Sequence, residues 1–137
     1  MAVMWQKGRR LFTIAAILML LTALAHTLGQ FGPPGDAGET KVVGAMQTYR
    51  IDLGLGMRPS FFDVFRALAF TMSVLLTALS MMNLVLASSR DTTAALLKRI
   101  TYLNVIWVAA FTAVALGYQV LPPLISGLLI LAILVAS

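Results

Sequence analysis

The stretch Ser60 to Ala87, SFFDVFRALAFTMSVLLTALSMMNLVLA, decides how the rest of the chain is read. Its only charges, Asp63 and Arg66, stand one helical turn apart at its start, and more than twenty uncharged residues follow. At about 1.5 Å per residue, a run of this length crosses a hydrocarbon core about 30 Å thick. The segment therefore reads as a transmembrane helix with an acid and a base at one mouth.

The whole chain has the same character. Of its 137 residues, 60% are hydrophobic, and the mean hydropathy is +0.92. So little polar surface cannot cover a water-soluble core of this size, which makes lipid the expected solvent. The absence of cysteine excludes disulfides, thiolate metal sites and thiol redox chemistry. The net charge of +5 suits anionic lipid headgroups. No basic, aromatic-studded soluble surface is available for nucleic acid, so no nucleic-acid partner is expected.

Working outward toward the N-terminus, Lys7, Arg9 and Arg10 precede the apolar run Leu11 to Leu28. Basic residues followed by an apolar stretch and Ala23-Leu24-Ala25 also fit a signal peptide. We read the segment as a retained first span, about 11–29, with His26 near its end. Residues 30–59 form a loop rich in glycine and proline, in which Gly32-Pro33-Pro34-Gly35 must break any helix. Within that loop Val42, Val43, Met46 and Tyr49 recur at helical spacing among Lys41, Gln47 and Arg50, the pattern of a short amphipathic helix in the interface.

The second span, about 60–87, opens with Ser60 three residues before Asp63, a capping box with Asp in place of Glu. Toward the C-terminus, SSRDTT forms a polar turn in which Thr92 or Thr93 can cap a third span, about 94–118. Pro122 and Pro123 suit the first turn of a fourth, about 121–137. The expected fold is an all-α integral membrane protein, 1–137 as one membrane domain. Its architecture is an antiparallel four-transmembrane-helix bundle with a short interfacial helix in the first loop.

Basic residues near the span ends set the expected orientation. Lys7, Arg9, Arg10, Arg90, Lys98 and Arg99 lie on one side, Lys41, Arg50, Arg58 and Arg66 on the other. The richer side is expected in the cytoplasm together with both termini, which places the protein as a multi-pass component of a bacterial inner membrane. Small residues give the expected packing seam, Ala69, Ser73 and Thr77 on the second span against Ala109, Ala113 and Gly117 on the third. Asn83 and Asn104 fall at similar depth, where each amide can bond either the other or a nearby carbonyl.

Candidate chemistry gathers on the outer side. His26, Gln30, Asp63, Arg66 and Tyr118, with Gln119 next to it, come from three spans, and Tyr49, Arg50, Asp52 and Arg58 of the loop can close over them. Asp63 and Arg66 can pair, or Arg66 can meet an anionic headgroup while Asp63 holds His26, or Asp63 can simply cap its helix. One histidine and scattered acids offer no metal site, and no nucleophile motif such as G-x-S-x-G is present. No cofactor is expected, with a single axial His26 ligand to a haem or chlorin the one arrangement left open. An enzyme acting on lipid with His26 as base would need partner residues that no spacing here supplies.

His26-Thr27-x-Gly29 at the end of the first span, Met46-x-x-Tyr49-Arg50 in the loop, and Gly56-Met57-Arg58-Pro59-Ser60-Phe61-Phe62-Asp63 entering the second are ordered motifs. Over about residues 15–85 they resemble an uncharacterised family of small four-helix bacterial inner-membrane proteins, and less closely the DoxX-like proteins. The resemblance implies that His26, Arg58, Ser60, Asp63 and Arg66 belong to one external feature. This chain departs from that pattern with Phe65-Arg66-Ala67-Leu68, where an aromatic followed by glycine is expected. The functional expectation is a non-enzymatic structural or accessory subunit whose partners are membrane lipids and other membrane-protein subunits or itself. The alternative is a lipid-, quinone- or pigment-binding protein with an external polar pocket.

Overall fold

The computed structural model describes the backbone of residues 2–117 and 120–137, with side chains from Gln6 onward. Its elements are all α-helices: α1 (Ala2–Gly29), α2 (Ala37–Thr48), α3 (Phe61–Ser88), α4 (Ala94–Gly117) and α5 (Leu121–Val135). Three of them hold stretches long and apolar enough to cross a membrane, Gln6–Gly29, Phe61–Ser88 and Ala94–Gly117. The fourth apolar helix, α5, has 15 residues, about 22 Å of rise. The first helix begins well before the apolar run, since its basic arm is helical from Ala2.

Several hydroxyl groups inside the long helices are satisfied locally. Thr13, Thr22 and Thr27 each donate to the carbonyl four residues back at 2.8 to 2.9 Å. Ser80 and Thr112 do the same at 2.6 and 2.7 Å. Back-bonding of this kind lets a polar side chain sit in an apolar helix without a second partner.

Helix ends follow sequence chemistry. At α1 the chain leaves through Gln30 and Phe31, whose N–H groups donate to Thr27 and Leu28 carbonyls at 3.1 Å, and Gly32-Pro33-Pro34 then bars continuation. Asp36 caps α2, accepting from the Glu39 N–H at 2.7 Å, while the Glu39 carboxylate accepts from the Gly35 N–H at 2.5 Å. Thr93 caps α4 through the Leu96 N–H at 3.2 Å, and Thr92 instead donates to the Leu86 carbonyl at 2.8 Å. The two threonines thus divide capping and loop anchoring between them.

The chain forms two compact units, 1–22 with 76–137 and 23–75, whose boundaries fall inside α1 and α3. In the first unit the buried faces are Phe12, Ala15, Ala16 and Met19 of α1, Leu76, Ser80, Asn83 and Ala87 of α3, and Leu97, Asn104, Val108, Thr112 and Ala115 of α4. Helices α4 and α5 run in opposite directions. Gly127 of α5 meets Thr112 and Phe111, and a cavity of about 550 Å³ is shared by Leu97, Lys98 and Tyr102 of α4 with Leu134 and Val135 of α5. A Cβ on Gly127 would collide with the Thr112 hydroxyl, so this helix pair needs glycine there.

Two buried amides lie at the centre of this unit. Asn83 Nδ2 donates to Asn104 Oδ1 at 3.0 Å, and Asn104 Nδ2 donates back to Asn83 Oδ1 at 3.1 Å and to the Ile100 carbonyl at 2.9 Å. Bonding to each other and to a carbonyl thus occur together. Of the small residues expected as a seam, Ser73 is buried, Ala69 and Thr77 are half-buried, and Ala109, Ala113 and Gly117 are exposed. On α4, Ala109 and Ala113 each follow a buried residue, Val108 and Thr112, and one residue rotates the helix by about 100°. That rotation carries the alanine row out of the core.

Candidate functional site

Eight of the nine candidate site residues, His26, Gln30, Tyr49, Arg50, Asp52, Arg58, Asp63 and Arg66, lie in the second unit, 23–75. The ninth, Tyr118, lies outside the described residues, as does Gln119. The eight separate into local clusters with different chemistry.

Residues 49–61 form a narrow hairpin ahead of α3. Ile51 N–H donates to the Pro59 carbonyl at 3.0 Å, Phe61 N–H to the Tyr49 carbonyl at 2.8 Å, and Leu53 N–H to the Met57 carbonyl at 3.1 Å. Arg50 and Ser60 form an isolated antiparallel bridge. At the tip Gly54, Leu55 and Gly56 all have positive φ, 79°, 53° and 79°. Leucine rarely adopts this conformation, and here its side chain is 96% exposed. Asp52 clips the base of the tip, accepting from the Gly54 N–H at 2.9 Å and pairing with Arg58 at 3.0 Å. This is the only ion pair among the described residues. Arg50 reaches the Arg58 carbonyl at 3.5 Å.

The hairpin delivers Ser60 to the start of α3 in a buried position. Its N–H and hydroxyl both donate to Asp63 Oδ2, at 3.0 and 2.6 Å, and the Asp63 N–H donates to Ser60 Oγ at 3.1 Å. This is the reciprocal capping box, and it occupies the carboxylate. Asp63 therefore neither pairs with Arg66 nor holds His26. His26 is exposed on α1 and makes no hydrogen bond among the described residues, and Gln30 contributes only a backbone turn. Of the residues expected in one external feature, the structure joins Ser60 to Asp63 and Arg58 to Asp52, and leaves His26 apart from both.

Arg66 has a setting of its own. Its guanidinium carbon lies 5.6 Å from the Phe62 ring centroid, 5.4 Å from Phe70 and 5.7 Å from Phe31. Phe62 and Phe70 stand four residues before and after it on the same face of α3, and Phe31 comes from the turn after α1. Phe31 and Phe70 also contact each other, with centroids 5.7 Å apart and planes tilted by 53°. The Nε of Arg66 is buried without a hydrogen-bond partner, and its terminal nitrogens make no hydrogen bond among the described residues. The spacing F-x-x-x-R-x-x-x-F could have signalled two of these rings in the sequence, whereas Phe31 lies 35 positions away and could not be found from spacing.

Among the described residues, no three His, Asp or Glu side chains gather to hold a metal ion. Compared with family models, with curated proteins and with solved structures, the chain finds no match.

Proposed function

We propose that the chain is a non-enzymatic, multi-pass inner-membrane protein of a bacterium, a structural or accessory subunit that docks to a larger membrane complex. In this reading α1, α3, α4 and α5 all span, forming an antiparallel four-helix bundle with both termini cytoplasmic. The helix α2 lies in the outer interface.

The observation that carries the docking role is the exposed row of Ala109, Ala113 and Gly117 on α4. Lipid tails are as apolar as leucine, so helices in a bilayer associate where small residues let their backbones approach closely. Within the chain the core of α4 uses other residues, Asn104, Val108 and Thr112. The small row is thus available to a helix of another protein, and Ile106, Val114 and Leu116 beside it are exposed as well.

Purification in mild detergent tests the proposal. A co-purifying membrane protein is expected, and Ala113→Leu should release it while the helical content of the chain is kept. A clean monomer or self-oligomer from the wild-type chain would overturn the docking role, as would unchanged co-purification by Ala113→Leu.

A further inference from the structure

We infer that Arg66 is the headgroup-binding residue of an anionic phospholipid site at the start of α3, with Phe31, Phe62 and Phe70 holding its guanidinium in place. The inference rests on the membrane reading above and adds a ligand class and a residue to it.

Arg66 is half-buried yet has no acceptor oxygen among the described residues. The three rings attract its charge through their faces. As acceptors for the guanidinium N–H groups the rings are weak, and oxygen is the matching partner. The nearest acid in sequence, Asp63, turns Oδ2 to Ser60 and forms no ion pair with Arg66. The terminal nitrogens of this half-buried cation are left for an acceptor from outside the chain. A phosphodiester supplies two non-bridging oxygens in the geometry that a guanidinium binds bidentately.

Local charge favours an anionic lipid. Asp63 lies within electrostatic reach of both Arg50 and Arg66, while Arg58 is balanced by Asp52. Asp63 is thus shared between two bases and forms an ion pair with neither, which leaves Arg66 to be met by an anionic phosphate from outside the chain. The surroundings favour a lipid over a soluble anion or a partner carboxylate. Phe31, in contact with the guanidinium, and Val74, one turn beyond Phe70 on α3, are both exposed, an apolar surface beside Arg66 that an acyl chain can cover.

The test uses the full chain, purified in mild detergent and exchanged into equal amounts of phosphatidylglycerol and phosphatidylcholine, with bound lipid read by native mass spectrometry. The wild type should retain phosphatidylglycerol preferentially, and Arg66→Gln should weaken that retention about tenfold, the loss expected for charge-assisted hydrogen bonds. Arg66→Lys should fall between them, because an ammonium cannot fork onto two oxygens. The control Arg99→Gln should match the wild type. If Arg66→Gln loses helical content, Phe31→Leu carries the test. It removes the ring that α3 does not supply and should still lower retention.

Equal retention by the wild type and the folded Arg66 or Phe31 variant would overturn the site. Equal loss in Arg99→Gln would reduce it to bulk charge and overturn it too. Displacement of the lipid by inorganic phosphate at matching concentration would assign the guanidinium to a soluble anion instead. A protein lost in Arg66→Gln with phosphatidylglycerol unchanged would assign it to a protein partner. Alkaline carbonate extraction separates the two readings: release of the chain from membranes sinks the membrane proposal itself, whereas an embedded chain without lipid preference sinks only the site.

Discussion

Two arginines, one in each unit, are solved in opposite ways. Arg9 of α1 directs Nε to the Ala87 carbonyl and a terminal nitrogen to the Ser89 carbonyl at 2.7 Å. It thereby caps the C-terminal end of α3, where carbonyls lack intrahelical donors and the helix dipole is negative. Arg66, near the other end of the same helix, is surrounded by phenylalanine rings and donates to nothing among the described residues. The chain gives the first guanidinium two backbone acceptors and the second none among the described residues. An internally satisfied cation holds a structure together, and an open one is available to a ligand.

Breaking the closed side should have the larger effects on stability. Arg9→Met should cost about 2 kcal/mol, because charge-assisted bonds are lost and the α3 carbonyls are left without donors. Thermal unfolding in detergent, followed by circular dichroism, measures it, and an unchanged midpoint would show that Arg9 is replaceable by water. Asn83→Leu should cost about 1 kcal/mol, within the range of hydrogen bonds between membrane helices, and the double variant Asn83→Leu with Asn104→Leu should cost less than the two singles added together. Strict additivity in that cycle would show that the amides do not act as a pair.

On the open side the effects should be smaller. Asp52→Asn removes an exposed ion pair worth less than about 1 kcal/mol. Its consequence should be local, seen as faster proteolysis within residues 53–57 at an unchanged unfolding midpoint. Arg66→Gln in lipid-free detergent should likewise cost little, about 0.5 kcal/mol or less, since only cation–π contacts at a half-exposed site are lost. A large destabilisation there would mean that Arg66 is closed by its own chain, and the contrast with Arg9 would collapse.

The helices that carry this contrast were legible in the residues because their signals are local. Uncharged runs mark the long apolar helices, Ser60 and Asp63 mark the start of α3, and Gly32-Pro33-Pro34 marks the break after α1. The helical spacing of Val42, Val43 and Met46 marks α2, although its cap, Asp36 with Glu39, went unread. The candidate site was legible only in part. Acids and bases concentrated around one loop suggested a common pocket, but short-range partners claim them first, Ser60 for Asp63 and Asp52 for Arg58.

The amino-acid sequence by itself determined that this chain is helical and where the chain breaks between its apolar helices; of the four spans it suggests, three are helices long and apolar enough to cross a bilayer. Those properties depend on length, capping and backbone hydrogen bonding within a few residues. Only the tertiary structure decided which faces are used: that Asn83 meets Asn104, that α4 turns Thr112 inward and Ala113 outward, and that Phe31 joins Phe62 and Phe70 around Arg66. In helices apolar on nearly every side, hydropathy carries no mark of the buried face. Shape and a few polar groups choose it, and they do so only once distant parts of the chain have come together.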